Sequence, residues 1–555
     1  MEYFTAADLF RAGDKKIVPA TSPKLLRNLT LFSVAAVCLL GVLLRFYHIT
    51  RNEFFFYDEG LYLNLHRKYL ELIAGHLPKT WYDFWGALYL CLRLSLGEGK
   101  ALYIFLSHLR VFVGGLEAWF FPRIISAVAG SLTLFFTYLF AKRYFGSKRA
   151  GWLSVIILAV MPSHIFYSRM ALQETFCTLL FLIGFYLYLF PARLNARTFL
   201  SAIFLVLAYF SNYRLIILPI LVFACEVFSS QSERQRPDFR KYLWHTLIFL
   251  FLVFLIGSID RAQNTIVTFA WMFYQTQMAE KVFEPFNFLS HPYYVFKLEG
   301  FLFGILFFGN VYCLARGRWQ RLLPFFLACF HMFIFSFTAE KAMRYVCVVI
   351  PFMAVAAGSF IDLLYEEKKS TIRRVGLGFV AALMLISLAA RSLRVAQFSS
   401  DYENAIKYLK GIDPKGKVVS TQPLIENLYT DPKDVADCPK EYPAFVKLYE
   451  RGFRYLIIDP QVYISWTDSG RRFDRRLKNY LQFITSQIKP VKAFPHFHYE
   501  TLERFVFEHN ENLKKSLLFL KSHDNNLGTL KIYDIKICVD EINRRLAARN
   551  AALKE

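Results

Sequence analysis

Residues 29–62 read LTLFSVAAVCLLGVLLRFYHITRNEFFFYDEGLY. From Leu29 to His48 the run is mostly apolar, with Arg45 its one formally charged residue, and is long enough for one helix to cross a hydrocarbon layer of about 30 Å. A short polar turn follows. Phe54, Phe55, Phe56 and Tyr57 then lead into an acidic pair, Asp58 and Glu59. An apolar helix that delivers two carboxylates to an aromatic interface sets the terms for the rest of the chain.

The same texture continues to about residue 391. Of 555 residues, 55% are hydrophobic and 18% aromatic, against 20% charged, and the mean hydropathy is +0.32. Globular domains are about 45–50% apolar. A soluble enzyme, a disordered chain and a disulfide scaffold are thereby excluded. The expected fold is a polytopic α-helical membrane protein. Spans are predicted at 29–48, 123–141, 150–166, 172–190, 198–211, 213–228, 243–259, 296–314, 321–337, 344–362 and 375–391, about eleven helices in all. The pair over 198–228 is interrupted by Asn212 and Arg214 and reads as one span or two.

Charge sets the orientation. The balance is +23, from 66 Lys and Arg against 43 Asp and Glu. The basic residues gather in alternate short loops, such as Lys142, Arg143, Lys148 and Arg149, or Arg234, Arg236, Arg240 and Lys241. Basic short loops face the cytoplasm, so the excess reads as contact with anionic lipid, and no nucleic-acid partner is expected. Residues 1–28 are then a cytoplasmic segment and 29–391 the membrane domain of an integral multi-pass protein of the plasma (inner) membrane. The alternation holds only if the first outer loop, 49–121, does not cross; its stretch 83–120 reads as amphipathic helices lying in the interface. Residues 392–555 form an extracytoplasmic α/β domain, with strands at 417–420, 454–459 and 529–537 and helices at 402–410, 445–452 and 471–488. Only Cys438 and Cys538 lie in this tail, and their spacing gives no support to a disulfide.

The absences narrow the chemistry. The P-loop, the dinucleotide glycine motif, the nucleophile elbow and the zinc-binding H-E-x-x-H are missing. So is any D-x-D pair that would clamp a metal–nucleotide donor, and neither cofactor nor metal is expected; His164 and His331 form no ligand cluster. Ionisable residues instead collect at the outer ends of spans. Asp58 and Glu59, desolvated and adjacent, suit a general base, while Asp58 equally suits the cap of the helix that follows. Glu174 can serve as a second acid or orient an acceptor, or pair with Arg169. Lys341, Arg344 and Tyr345 can hold a lipid phosphate through charge and a guanidinium fork, or simply anchor the interface. Lys100 can reach the same place or stay solvated, and Arg123 reads as an interfacial anchor. The aromatic loop 260–295 suits a sugar groove or an interfacial belt.

Together these pieces resemble the GT-C superfamily of membrane glycosyltransferases, in its protein O-mannosyltransferase and lipid A aminoarabinose transferase branch. The resemblance covers roughly residues 29–362. It rests on Tyr57 to Tyr62, Lys100 to Tyr103, Arg123 to Ala127, Phe145-Gly146, Pro162, Ser168-Arg169 with Glu174, and Lys341 to Tyr345 with Pro351. It implies that Asp58 is the catalytic base and that Lys100, Arg344 and Tyr345 meet the donor phosphate. The implied reaction moves a sugar, with inversion, from a polyprenyl-phosphate donor to a hydroxyl on a glycan, lipid or protein. A transporter or flippase of lipid-linked sugars is the alternative, and it predicts internal repeats and midplane charges.

Overall fold

The computed structural model describes residues 23–50, 59–60, 62–64, 67, 80–96, 100–110, 120–190, 194–233, 237–258, 285–336, 343–367, 370–397, 400–439, 441–459, 481, 483–495 and 529–552. Tyr57, Asp58 and Lys341 lie outside these residues, as do most of the 260–295 loop and the first part of the 471–488 helix.

Helical structure stands at every position read as a span. Phe121–Phe145, Phe239–Gly257, Met343–Glu367 and Thr371–Ala396 are each long and apolar enough to cross a membrane alone. Others are shorter, among them Glu174–Leu189, Ala196–Ser211 and Leu323–Phe335. One apolar cluster joins them, from Val34 in the first helix to Val395 in the last. The helix Thr371–Ala396 carries the chain past residue 391 before the tail begins with Tyr402–Ile412.

The span predicted at 150–166 is broken. Lys148–Ala159 and Pro162–Ser168 meet at 61°, because Pro162 lacks an amide hydrogen and forces Met161 into an extended conformation. In an apolar setting the carbonyls freed by such a break need donors. The buried guanidinium of Arg45 supplies them, donating to Leu158 O at 3.1 Å and Ala159 O at 3.2 Å, and Ser392 Oγ donates to Val160 O at 2.8 Å. On the other side of the break, Glu299 accepts the Ser163 amide at 3.3 Å.

The first loop contains the helices Trp81–Leu96 and Ala101–His108. Trp85 and Tyr89 are exposed, while Cys91, Leu96, Tyr103 and Ile104 are buried. Trp81–Leu96 thus has an exposed and a buried face, whereas Ala101–His108 has no exposed residue.

Among the described residues the tail forms a five-stranded mixed sheet of β1 Lys417–Ser420, β2 Val435–Asp437, β3 Phe453–Ile458, β4 Lys492–Pro495 and β5 Thr529–Asp534, in the order β2-β1-β3-β5-β4. β1 is parallel to β2 and β3, and β5 is antiparallel to β3 and β4. The strand predicted over 529–537 stops at Asp534, whose carboxylate accepts the Lys536 amide at 2.8 Å and starts the helix Ile535–Ala552. Cys438 and Cys538 are buried in the tail's core and form no disulfide with each other.

The tail packs onto the first loop. Leu63 of that loop and Ala171, between two spans, share one cluster with Tyr402, Ile425, Ile457 and Ile532. Asn64 Nδ2 donates to Leu424 O at 2.6 Å, and a Cβ on Gly60 would lie 2.6 Å from the same oxygen. The first loop, the 168–174 turn and the tail therefore share one end of the bundle.

Two outcomes follow from this packing. Arg45→Met strands the carbonyls at the Pro162 break, and is expected to lower stability by about 1–3 kcal/mol, read as a lower unfolding temperature in lipid; unchanged stability would show that the break holds without it. Gly60→Ala meets backbone it cannot displace, and is expected to cost about 1–3 kcal/mol and to speed proteolysis of the tail. Unaltered cleavage would mean the loop and tail are not in contact.

Candidate active site

Glu59 opens the site. It is fully buried and accepts the Ala171 amide at 2.7 Å. Arg123, itself 4% exposed, approaches the same Oε1 at 3.8 Å. Arg123 was expected as an interfacial anchor; the structure turns it inward instead, because the Glu59 charge needs a partner away from water. Nearby hydroxyls complete the stitching. Ser126 Oγ donates to Leu172 O at 2.8 Å, Thr175 Oγ1 donates to Ser126 O at 3.1 Å, and Tyr103 Oη donates to Pro122 O at 2.9 Å. The first loop, the start of Phe121–Phe145 and the 168–174 turn are thus held in one register.

That register presents Glu174. It begins the helix Glu174–Leu189, is 2% exposed, and accepts Gln173 Nε2 at 3.1 Å. A carboxylate suits a helix N-terminus, where the dipole favours negative charge. Three cations act on it from separate parts of the chain: Lys100, Arg344 and Arg214. Lys100 immediately precedes the helix Ala101–His108, and its Nζ lies 4.1 Å from the centre of the Tyr62 ring. Arg344 lies in the 3-10 stretch Met343–Val349 and is 5% exposed. Arg214 sits in another 3-10 turn, Tyr213–Ile217, with its guanidinium 4.0 Å from the centre of the Tyr345 ring; Arg344 lies 5.5 Å from the same ring. His331 Nε2 meets the Tyr345 carbonyl at 3.1 Å. Three positive charges around one carboxylate leave an excess suited to an anion.

The structure thus brings together Lys100, Glu174, Arg344 and Tyr345 of the predicted residues, with Glu59 and Arg123 supporting them. Arg169 is directed elsewhere. Rather than pairing with Glu174, it donates to Val395 O at 3.2 Å and Tyr47 O at 3.0 Å. Arg214 joins the site unanticipated, since in the sequence it reads only as an obstacle to a continuous span. An arginine between two apolar halves is itself a functional signal. Among the described residues no group of three or more His, Cys, Asp and Glu is arranged to hold a metal.

Residues 102–258 match the family model described as dolichyl-phosphate-mannose-protein mannosyltransferase. No curated protein sequence matches the chain. Among solved structures, the archaeal oligosaccharyltransferase AglB from Archaeoglobus fulgidus, in complex with an inhibitory peptide and a dolichol-phosphate, is 11% identical. It aligns over 79% of this chain and 70% of its own, with a TM-score of 0.52. ArnT from Cupriavidus metallidurans, bound to undecaprenyl phosphate, is 15% identical over 79% of this chain and 94% of its own, with a TM-score of 0.47. The chain is an integral membrane protein whose fold is similar to that of AglB, and its segment 102–258 matches the family described as dolichyl-phosphate-mannose-protein mannosyltransferase.

Proposed function

We propose that this chain transfers a sugar from a polyprenyl-phosphate donor to a hydroxyl acceptor on the extracytoplasmic side, with inversion at the anomeric carbon. The observation that carries the reading is the convergence of Lys100, Arg214 and Arg344 on the buried Glu174, at the end of the bundle that receives the first loop. The description of the matched family and the dolichol-phosphate bound to AglB support a lipid-phosphate donor.

The donor phosphate sits among the three cations, with Lys341 as a further contact. Asp58, next to Glu59, takes the proton from the acceptor hydroxyl. The oxygen attacks the anomeric carbon as the carbon–oxygen bond to phosphate breaks, and the electron pair leaves with the polyprenyl phosphate. The cations stabilise that growing charge, the contribution that is usually largest. Tyr345 holds the two guanidinium groups through its ring. Glu59 and Arg123 are positioning residues, and Glu174 keeps the cations in place or orients the acceptor.

Full-length protein in lipid, given a radiolabelled polyprenyl-phosphate sugar and candidate acceptors, tests the reading. Asp58→Asn is expected to lower transfer by about 10²–10⁴-fold while donor still binds, as loss of a general base does. Arg214→Ala is expected to weaken donor binding as well as transfer. Equal transfer by native protein and Asp58→Asn would remove Asp58 from the chemistry. No release of lipid phosphate by either, across a panel of donors and acceptors, would favour the flippase reading.

A further inference from the structure

His331 is a polar residue that the transfer reading leaves without a role. It lies in the last turns of the helix Leu323–Phe335, LPFFLACFHMFIF, and has no solvent exposure. Burying an imidazole in such apolar surroundings is costly unless its nitrogens find partners. Nε2 meets the Tyr345 carbonyl oxygen at 3.1 Å, while among the described residues Nδ1 has no hydrogen-bond partner. A carbonyl oxygen only accepts, so Nε2 carries the hydrogen and donates it. A leucine would continue the apolar helix without the cost of a buried imidazole. The hydrogen bond to Tyr345 is what a histidine adds at this position.

That bond joins two elements. Its partners are 14 residues apart in the chain, His331 in the helix and Tyr345 in the 3-10 stretch Met343–Val349. Phe335, one turn beyond His331, extends the contact: its ring centre lies 4.7 Å from that of His331 and 6.0 Å from that of Tyr345. A 3-10 stretch has poor internal hydrogen-bond geometry, so its placement leans on neighbours. What it places is the Tyr345 ring, whose centre is 4.0 Å from the Arg214 guanidinium and 5.5 Å from that of Arg344. A shift of the Tyr345 backbone moves the ring against which both cations are set.

We propose that His331 is a positioning residue for the donor phosphate. By holding the Tyr345 carbonyl it fixes the Tyr345 ring and, through the ring, the Arg214 and Arg344 guanidinium groups. The inference rests on the transfer reading, which supplies the phosphate that those cations receive.

Full-length protein in nanodiscs of neutral lipid is titrated with radiolabelled polyprenyl phosphate, and Kd is measured for the folded fraction of native protein, His331→Leu and His331→Gln. His331→Leu is expected to bind about 5–30-fold more weakly, as when a buried acceptor loses its donor. His331→Gln, whose amide can donate to the same carbonyl, is expected to stay within about threefold of native. A side chain that only filled space would alter the unfolding temperature and leave Kd unchanged. Native affinity in His331→Leu would therefore overturn the inference and leave the transfer reading intact, as would a loss in His331→Gln equal to that in His331→Leu. Native protein that binds no polyprenyl phosphate would overturn both. Where His331→Leu does not fold, NMR of isotope-labelled histidine in the native protein decides. The His331 ring signal, assigned by its absence from His331→Gln, is expected in the Nε2–H form and to shift on addition of polyprenyl phosphate; a signal unmoved at saturation would overturn the inference.

Discussion

Glu59 is a carboxylate with no solvent exposure, and the cost of burying it is offset only by the groups it engages. Those groups include the Ala171 amide and the Arg123 guanidinium. Through them one side chain joins the first loop, the start of a span and the turn that delivers Glu174. Breaking that junction would free three segments at once, because Ser126, Thr175 and Tyr103 bond across the same seam.

The cations around Glu174 come from three places far apart in sequence, Lys100, Arg214 and Arg344. Arg214 sits in a short 3-10 turn between two helices, and Arg344 in the 3-10 stretch that leads into Ile350–Glu367. Irregular backbone at membrane depth is tolerated where it is buried in protein or lines a cavity. The interruptions therefore coincide with the charges, as expected where a polar ligand enters an apolar bundle. The tail closes over the same end, with Ile425, Ile457 and Ile532 packed beside Leu63 and Ala171.

Much of this was legible in the sequence, and the failures have physical causes. The apolar blocks located the helices, because a bilayer asks for length and apolarity before anything else. The break at Pro162 was missed since the run 150–166 is apolar on both sides of it, and hydropathy is blind to a missing amide hydrogen. The 529–537 segment alternates like a strand throughout, yet Asp534 caps a helix there. β2 and β4 were overlooked as short edge strands, the latter ending in Pro495, which an edge tolerates. Lys100, Glu174, Arg344 and Tyr345, which the structure brings together, stand out in the sequence because polar groups at the end of an apolar run are conspicuous. Arg214 was equally conspicuous but was read as noise in a span. The inward pairing of Arg123 with Glu59 is long-range and left no local trace.

The central claim is that Lys100, Arg214 and Arg344 together form the seat of a lipid phosphate. A structure of the full-length protein in lipid with bound polyprenyl phosphate tests it most directly. The account predicts the phosphate within about 3 Å of the donor nitrogens of all three residues, at charge-assisted hydrogen-bond distance, beside Glu174. A phosphate bound elsewhere on the bundle, with the three cations still gathered on Glu174, would contradict it.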